Sequence, residues 1–334
     1  MKKPVLLNCF FILACLIFFP VDRVSANELW VKKTPMPTPR SGAACAVVND
    51  KIYVIGGYLK KEDKYVIVGV NERYDPKTDR WRKMAPMPSG RSGAATAVVD
   101  DKIYVFAGMD AKGRLVSSVE RYDPEKNAWK TVTSMPTPRI VPGAVVIDEK
   151  IYVLGGANWS DDKAGVPHYL SVNEVYDPRA NKWSVKKAMT SARPRPCVVV
   201  HDMKIYCIGG GQNNGYLIRA NERYDPKTDS WEALYPMPTA RTAAAAGIIG
   251  DKIYVIGGYT FEERSAKCAE CVTFLSVNEE YDIRTNTWRE ALAMPMTRGG
   301  GVGAVVDNKI YCIGGYNHEA GFLGLNEEYS TAFQ

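Results

Sequence analysis

The stretch KIYVIGG at 51–57 decides how this chain folds, because the chain writes it six times. It returns as KIYVFAG (102–108), KIYVLGG (150–156), KIYCIGG (204–210), KIYVIGG (252–258) and KIYCIGG (309–315). A tyrosine line follows each copy: NERYDP (71–76), VERYDP (119–124), NEVYDP (173–178), NERYDP (221–226), NEEYDI (278–283) and NEEYS (326–330). In five copies a tryptophan stands seven positions beyond the tyrosine, as in Tyr74 and Trp81, Tyr122 and Trp129, Tyr176 and Trp183, Tyr224 and Trp231, and Tyr281 and Trp288. A unit that recurs about every 50 residues is the mark of stacked, similar structural repeats.

Within a copy the segments are short, β-branched or aromatic, and separated by turn formers, which reads as strands. Strand A is a run of small apolar residues (GAACAVV, 42–48), strand B is KIYVIGG, strand C is the tyrosine line and strand D carries the tryptophan. Asn49-Asp50 predicts a tight hairpin between A and B, and Asp75-Pro76 opens the turn between C and D. Strands A and B are apolar at successive positions, so both of their faces should be buried between stacked sheets. Four strands per copy, a glycine pair closing the second and a fixed Tyr-to-Trp spacing resemble the kelch repeat. The resemblance covers residues 27–334 and implies an all-β fold, a six-bladed β-propeller of four-stranded blades around a channel. The sixth copy lacks its tryptophan, but NELWVKK (27–33) has the pattern of a lone strand D. Trp30 is therefore expected to complete the last blade and close the ring.

Ahead of that strand, Lys2 and Lys3 precede an apolar run from Val5 to Phe19, and Val24-Ser25-Ala26 suits a cleavage site before Asn27. Residues 1–26 read as a secretory signal, which predicts an exported protein, periplasmic or extracellular, with no stable membrane anchor after cleavage. Loss of Lys2, Lys3, Arg23 and Asp22 lowers the formal charge from +6 to +4, too mild to argue for a nucleic-acid partner. Cys45, Cys197, Cys207 and Cys312 fall within strands A and B as small apolar residues. Cys268 and Cys271 share a long loop in the fifth copy, where an exported protein should oxidise them to a local disulfide. Two cysteines without a second pair make a poor zinc site, and no metal or other cofactor is expected.

Antiparallel strands alternate direction, so the A-to-B and C-to-D turns share one face of the ring while the B-to-C loops and D-to-A crossings share the other. The first set is short and uniform, whereas the B-to-C loops vary in length and chemistry. Variable loops on a rigid frame are the expected working face. Arg40, Arg91, Arg139, Arg193, Arg241 and Arg298 open the A strands there, each sixteen positions before the first residue of its closing pair. A cationic ring of guanidinium groups at the channel mouth would suit carboxylate, sulfate or phosphate, and in kelch domains that this chain resembles such arginines contact acidic peptides. The competing reading pairs each arginine, as frame, with the glutamate two places before the strand C tyrosine: Glu72, Glu120, Glu174, Glu222, Glu279 and Glu327. Aromatic residues in the same loops, Tyr58, Trp159, Tyr216, Tyr259 and Tyr316 foremost, suit a sugar or a peptide segment.

Catalytic signals are sparse. Histidines number three, His168, His201 and His318, and they do not match the two Tyr and two His that a kelch-type copper oxidase requires. Glu262, Glu263 and Arg264 in the long loop offer an acid, a base and a carboxylate clamp, as a sugar epimerase or mutarotase of the sialic-acid-handling kelch type would need, but a solvated charge run accounts for them equally. The expectation is thus a binding or scaffold module for a protein, acidic peptide or glycan, with that sugar-modifying enzyme as the alternative.

Overall fold

A computed structural model describes residues 28–159, 167–212, 216–261 and 272–331. Six antiparallel sheets of four strands form the ring, each ordered A-B-C-D from the channel outward. Blade 1 is typical, with strands Ala44–Val48, Lys51–Ile55, Asn71–Asp75 and Arg80–Met84. The last blade takes its A, B and C strands from Val302–Val306, Lys309–Ile313 and Asn326–Thr331, and its D strand from Glu28–Lys32. Trp30 lies opposite Tyr329 in that pairing. Their rings sit 5.0 Å apart, matching the 4.9–5.1 Å of the Tyr–Trp pairs in the other five blades.

Hydrophobic burial is concentrated at the seams. Between blades 1 and 2, for example, Ala46, Val48, Tyr53 and Ile55 pack on Ile103, Val105 and Tyr122. Equivalent clusters fill the five other seams. A blade therefore buries both faces of its inner strands, which accounts for the unbroken apolar runs in A and B.

The uniform C-to-D turns also serve the seams. Asp79, Asn127, Asn181, Asp229 and Asn286 each adopt φ of 49–56°, a left-handed conformation that Asn and Asp tolerate best among residues with a side chain. There the side-chain oxygen accepts the hydroxyl of the tyrosine five positions earlier. In four blades the same oxygen also accepts a backbone N–H from the neighbouring blade: Thr34, Ala85, Lys187 and Tyr235. The carbonyls of those four residues receive the indole N–H of Trp81, Trp129, Trp231 and Trp288. Trp30 likewise donates to Leu292, whose N–H goes to Glu28.

One seam departs from this rule. Strand D of blade 2, Ala128–Ser134, bulges at Val132, and the register shifts so that Glu120 faces Thr131 while Val119 faces Thr133. Thr133 is the position that should bond to blade 3. In the other five blades an Asn three places before the tyrosine donates to the carbonyl of the equivalent residue, but blade 2 has Val119 there, and Thr133 pairs with it inside the blade. Trp183 Nε1 is left buried without an acceptor.

Candidate functional site

All six arginines at the strand A openings are buried, with exposures of 0–3%. Each donates to the strand C glutamate of its own blade: Arg40 to Glu72 at 2.5 Å, Arg91 to Glu120 at 2.9 Å, Arg139 to Glu174 at 2.5 Å, Arg298 to Glu327 at 2.6 Å, and Arg193 and Arg241 to Glu222 and Glu279. Strand B carbonyls take further guanidinium N–H groups, Val54 and Gly56 in the case of Arg40. Thr38, Thr137 and Thr239, two residues before their arginines, donate to the second oxygen of Glu72, Glu174 and Glu279. The expectation of a cationic ring at the mouth is corrected accordingly. A desolvated guanidinium requires a carboxylate at contact distance, strand C supplies one in every blade, and Arg40, Arg91, Arg139, Arg193, Arg241 and Arg298 bracket the sheets from inside.

On the B-to-C side the channel opens into a basin of about 890 Å³. Tyr58, Tyr259 and Tyr316 line it, each paired by backbone hydrogen bonds with the residue after a frame arginine: Ser41, Thr242 and Gly299. The glycine pair makes this route possible. Gly57 sits at φ 96°, and a Cβ there would lie 2.8 Å from the Ser41 carbonyl oxygen. From blade 1 across blade 6 to blade 5, Tyr65, Tyr58, Phe322, Tyr316, Phe274 and Tyr259 meet edge to face, with successive centroids 5.3–6.3 Å apart. His318 joins this arc against Phe274, at 5.0 Å. Trp159 and Tyr216, also expected in the site, are 38% and 40% exposed and are not part of the basin wall that the described residues form. Glu262, Glu263, Arg264, Cys268 and Cys271 lie outside the described residues. Cys45, Cys197, Cys207 and Cys312 are free thiols. Burial pushes the Cys45, Cys197 and Cys312 thiols up to about 12 and Cys207 up to about 11, which leaves them unreactive near neutral pH.

Arg195 was not singled out by sequence, yet it stands on the floor of the basin. It occupies the second position after a frame arginine. That position is Gly42, Gly93, Val141, Arg195, Ala243 and Gly300 around the ring, always at φ 51–68°. The N–H of Gly42, Gly93, Val141, Arg195 and Gly300 each donates to the carbonyl of the equivalent residue one blade back, at 2.7–3.0 Å. These bonds belt the channel with backbone, and Arg195 adds the belt's one charged side chain. Arg195 Nη1 lies 3.4 Å from the Tyr259 hydroxyl. The pull of Tyr259, outweighing burial, with Tyr58 and Tyr169 adding to it, holds the guanidinium proton more firmly than usual. Among the described residues no carboxylate pairs with it. An alignment of the six strand A openings would have exposed this signal, a charge where the other blades place Gly, Ala or Val.

Comparison with known proteins adds a sequence criterion to this geometry. A family model described as the KLHDC2/KLHL20/DRC7 Kelch-repeats domain matches residues 13–156 and 42–258, and a Kelch motif matches 240–295. The chain belongs to the kelch-repeat family. Kelch relatives include Kelch-like protein terF of Aspergillus terreus, 42% identical over 83 residues, which are 24% of this chain and 18% of terF. Alpha-scruin of Limulus polyphemus is 27% identical over 184 residues, 54% of this chain and 20% of scruin. The chain thus spans about a fifth of the length of these curated relatives. Among solved structures, that titled "Structure of YjhT" superposes with a TM-score of 0.74 at 19% identity, covering 87% of this chain and 95% of the other. The shared kelch propeller fold is what that likeness establishes.

Proposed function

We propose that this kelch propeller is an exported recognition module whose B-to-C basin binds its ligand. The observation that supports the reading is the aromatic arc. Tyr58 and Tyr65, Phe274, and Tyr316 and Phe322 come from three loops, of blades 1, 5 and 6, to one concavity and stay half-buried or exposed, whereas the tyrosines and tryptophans that hold the frame are paired inside the blades. Wet aromatic surface concentrated in a hollow of ligand size favours association with flat or apolar groups of a sugar or peptide. Export rests on the leader-like residues 1–26, and secreted material should begin at Asn27 on N-terminal sequencing.

The test is an array of glycans and acidic peptides probed with the purified protein, alongside a Tyr316→Ala/Phe322→Ala double variant and Val185→Ser. Val185 is 74% exposed on an outer strand, far from the arc. The double variant should lose at least tenfold in apparent affinity for whatever the array captures, and Val185→Ser should lose nothing. Equal retention by both variants would move the site off this face.

A further inference from the structure

We infer that Arg195 is the carboxylate anchor of this basin, and that the ligand is a monocarboxylate borne on a ring, its carboxylate on Arg195 and its ring against Tyr259, Phe274 and Tyr316. The inference rests on the basin being the binding site. Its first support is the contrast among arginines within one molecule. Six buried guanidinium groups each have a glutamate at contact distance, while the seventh, half-buried on the basin floor, has a 3.4 Å contact with a phenol. Five N–H donors arranged as a fork match a planar carboxylate. Among the described residues none of them meets a carboxylate.

Charge counting narrows the ligand further. The described charged residues of the wall are Lys64, Asp110 and Arg195, with His318 titratable. Asp110 is already held by Arg114 at 2.8 Å, and Lys64 is exposed in the blade 1 hairpin. Among the described residues the interior therefore presents one uncompensated positive charge, which one carboxylate neutralises and a run of acidic residues would overfill. Tyr259 joins the two halves of the site, since its hydroxyl faces Arg195 and its ring begins the wall with Phe274 at 6.0 Å. A volume of about 890 Å³ accommodates a molecule of one or two rings and not a folded domain.

Glycine at the equivalent position in three other blades, with φ of 62–68°, shows that the belt accepts a residue without a side chain. Arg195→Gly therefore removes the charge while leaving the frame intact. The experiment measures binding of glucuronate and phenylacetate, with glucose and phenylacetamide as their neutral counterparts and an Asp/Glu-rich peptide as a polyanion. It compares the full mature chain, Arg195→Gly, Arg195→Lys and the Tyr316→Ala/Phe322→Ala variant. The acids should bind at least tenfold tighter than their neutral counterparts. Arg195→Gly should erase that preference with no fall in melting temperature, and Arg195→Lys should keep part of it. Equal binding of acids and neutral counterparts, or an acid preference that survives Arg195→Gly, overturns the anchor, and loss of binding in the aromatic variant would then leave the basin reading standing. Arg195-dependent binding of the peptide alone overturns the ring-borne monocarboxylate. Probe binding that is indifferent to every variant removes the basin and the anchor together.

Discussion

At the scale of single residues, arginines only two positions apart, Arg193 and Arg195, stand in opposite settings, and the deciding variable is the distance to a carboxylate. Arg91 is fully buried and holds Glu120 at 2.9 Å. Arg91→Ala strands that carboxylate in a dry blade, and the expected loss is about 3–5 kcal/mol in denaturant unfolding. Replacing Arg91 and Glu120 together by apolar residues should recover much of it, because the desolvation cost leaves with the pair. The repeat makes the frame legible in sequence, since the same Arg and Glu occur in all six copies. What sequence could not supply is the distance. A ring of ligand-facing guanidinium groups and a set of internal brackets use the same twelve residues. Arg195 stayed hidden for the opposite reason: its information lies in breaking the repeat, while attention to recurring residues favours the ones that keep it.

At the scale of one element, the strand Glu28–Lys32 joins blades 5 and 6 by more than its ladder. Glu28 accepts the Leu292 N–H and pairs with Arg289, which also holds Glu280; Glu280 in turn receives Lys252 and the Tyr254 hydroxyl. Removing residues 28–33 exposes the edge of Asn326–Thr331 and empties the Trp30 site, a cost of several kcal/mol by analogy with core truncation. A chain starting at Thr38 that melts as high and as cooperatively as the mature protein would contradict this. Burial pushes the Glu280 carboxyl up, but hydrogen bonds from Arg289, Lys252 and Tyr254 outweigh it and leave the group below its usual range. Glu328, with Lys309 and Tyr311, is depressed in the same way. Carboxylates with depressed folded-state values add stability that is complete above the unfolded value of about 4.3 and is lost as pH falls through the folded one. Melting temperature should therefore drop below about pH 4, and the drop should be shallower in Glu280→Gln. The closing role of this strand is readable from Trp30 because it fills a gap in a counted pattern. Its ionic latch is not, since Glu28 and Arg289 are 261 positions apart.

Across the whole molecule, six similar seams are not equally strong. The seam of blades 2 and 3 lacks the indole and turn-oxygen bonds that Thr133 would have made, because Val119 replaces the strand C Asn of the other blades and the bulge in Ala128–Ser134 turns Thr133 inward. Hydrogen exchange should be fastest there, with Ala128–Ser134 and Lys182–Lys186 losing protection before Ser230–Leu234 and Thr287–Ala291. Val119→Asn, which gives blade 2 the residue whose amide holds the equivalent carbonyl in the other five blades, should restore both bonds and raise stability by about 1–2 kcal/mol. Uniform exchange across the outer strands would show that the missing bonds carry no weight.

The pairing of Trp30 with Tyr329 also bears on how the molecule comes into being. Ribosomes deliver these two residues nearly 300 positions apart, which at roughly 5–20 residues per second is ~15–60 s of waiting. Throughout that interval the earliest strand has no partner. Blades 1 to 5 can assemble in the order in which they emerge, but the final sheet cannot exist until its last central strand arrives to meet the first. Birth order thus makes ring closure the latest event, and the Leu29–Val31 stretch, still exposed at 47% and 37% in the finished ring, is the segment that a chaperone would have the longest time to hold.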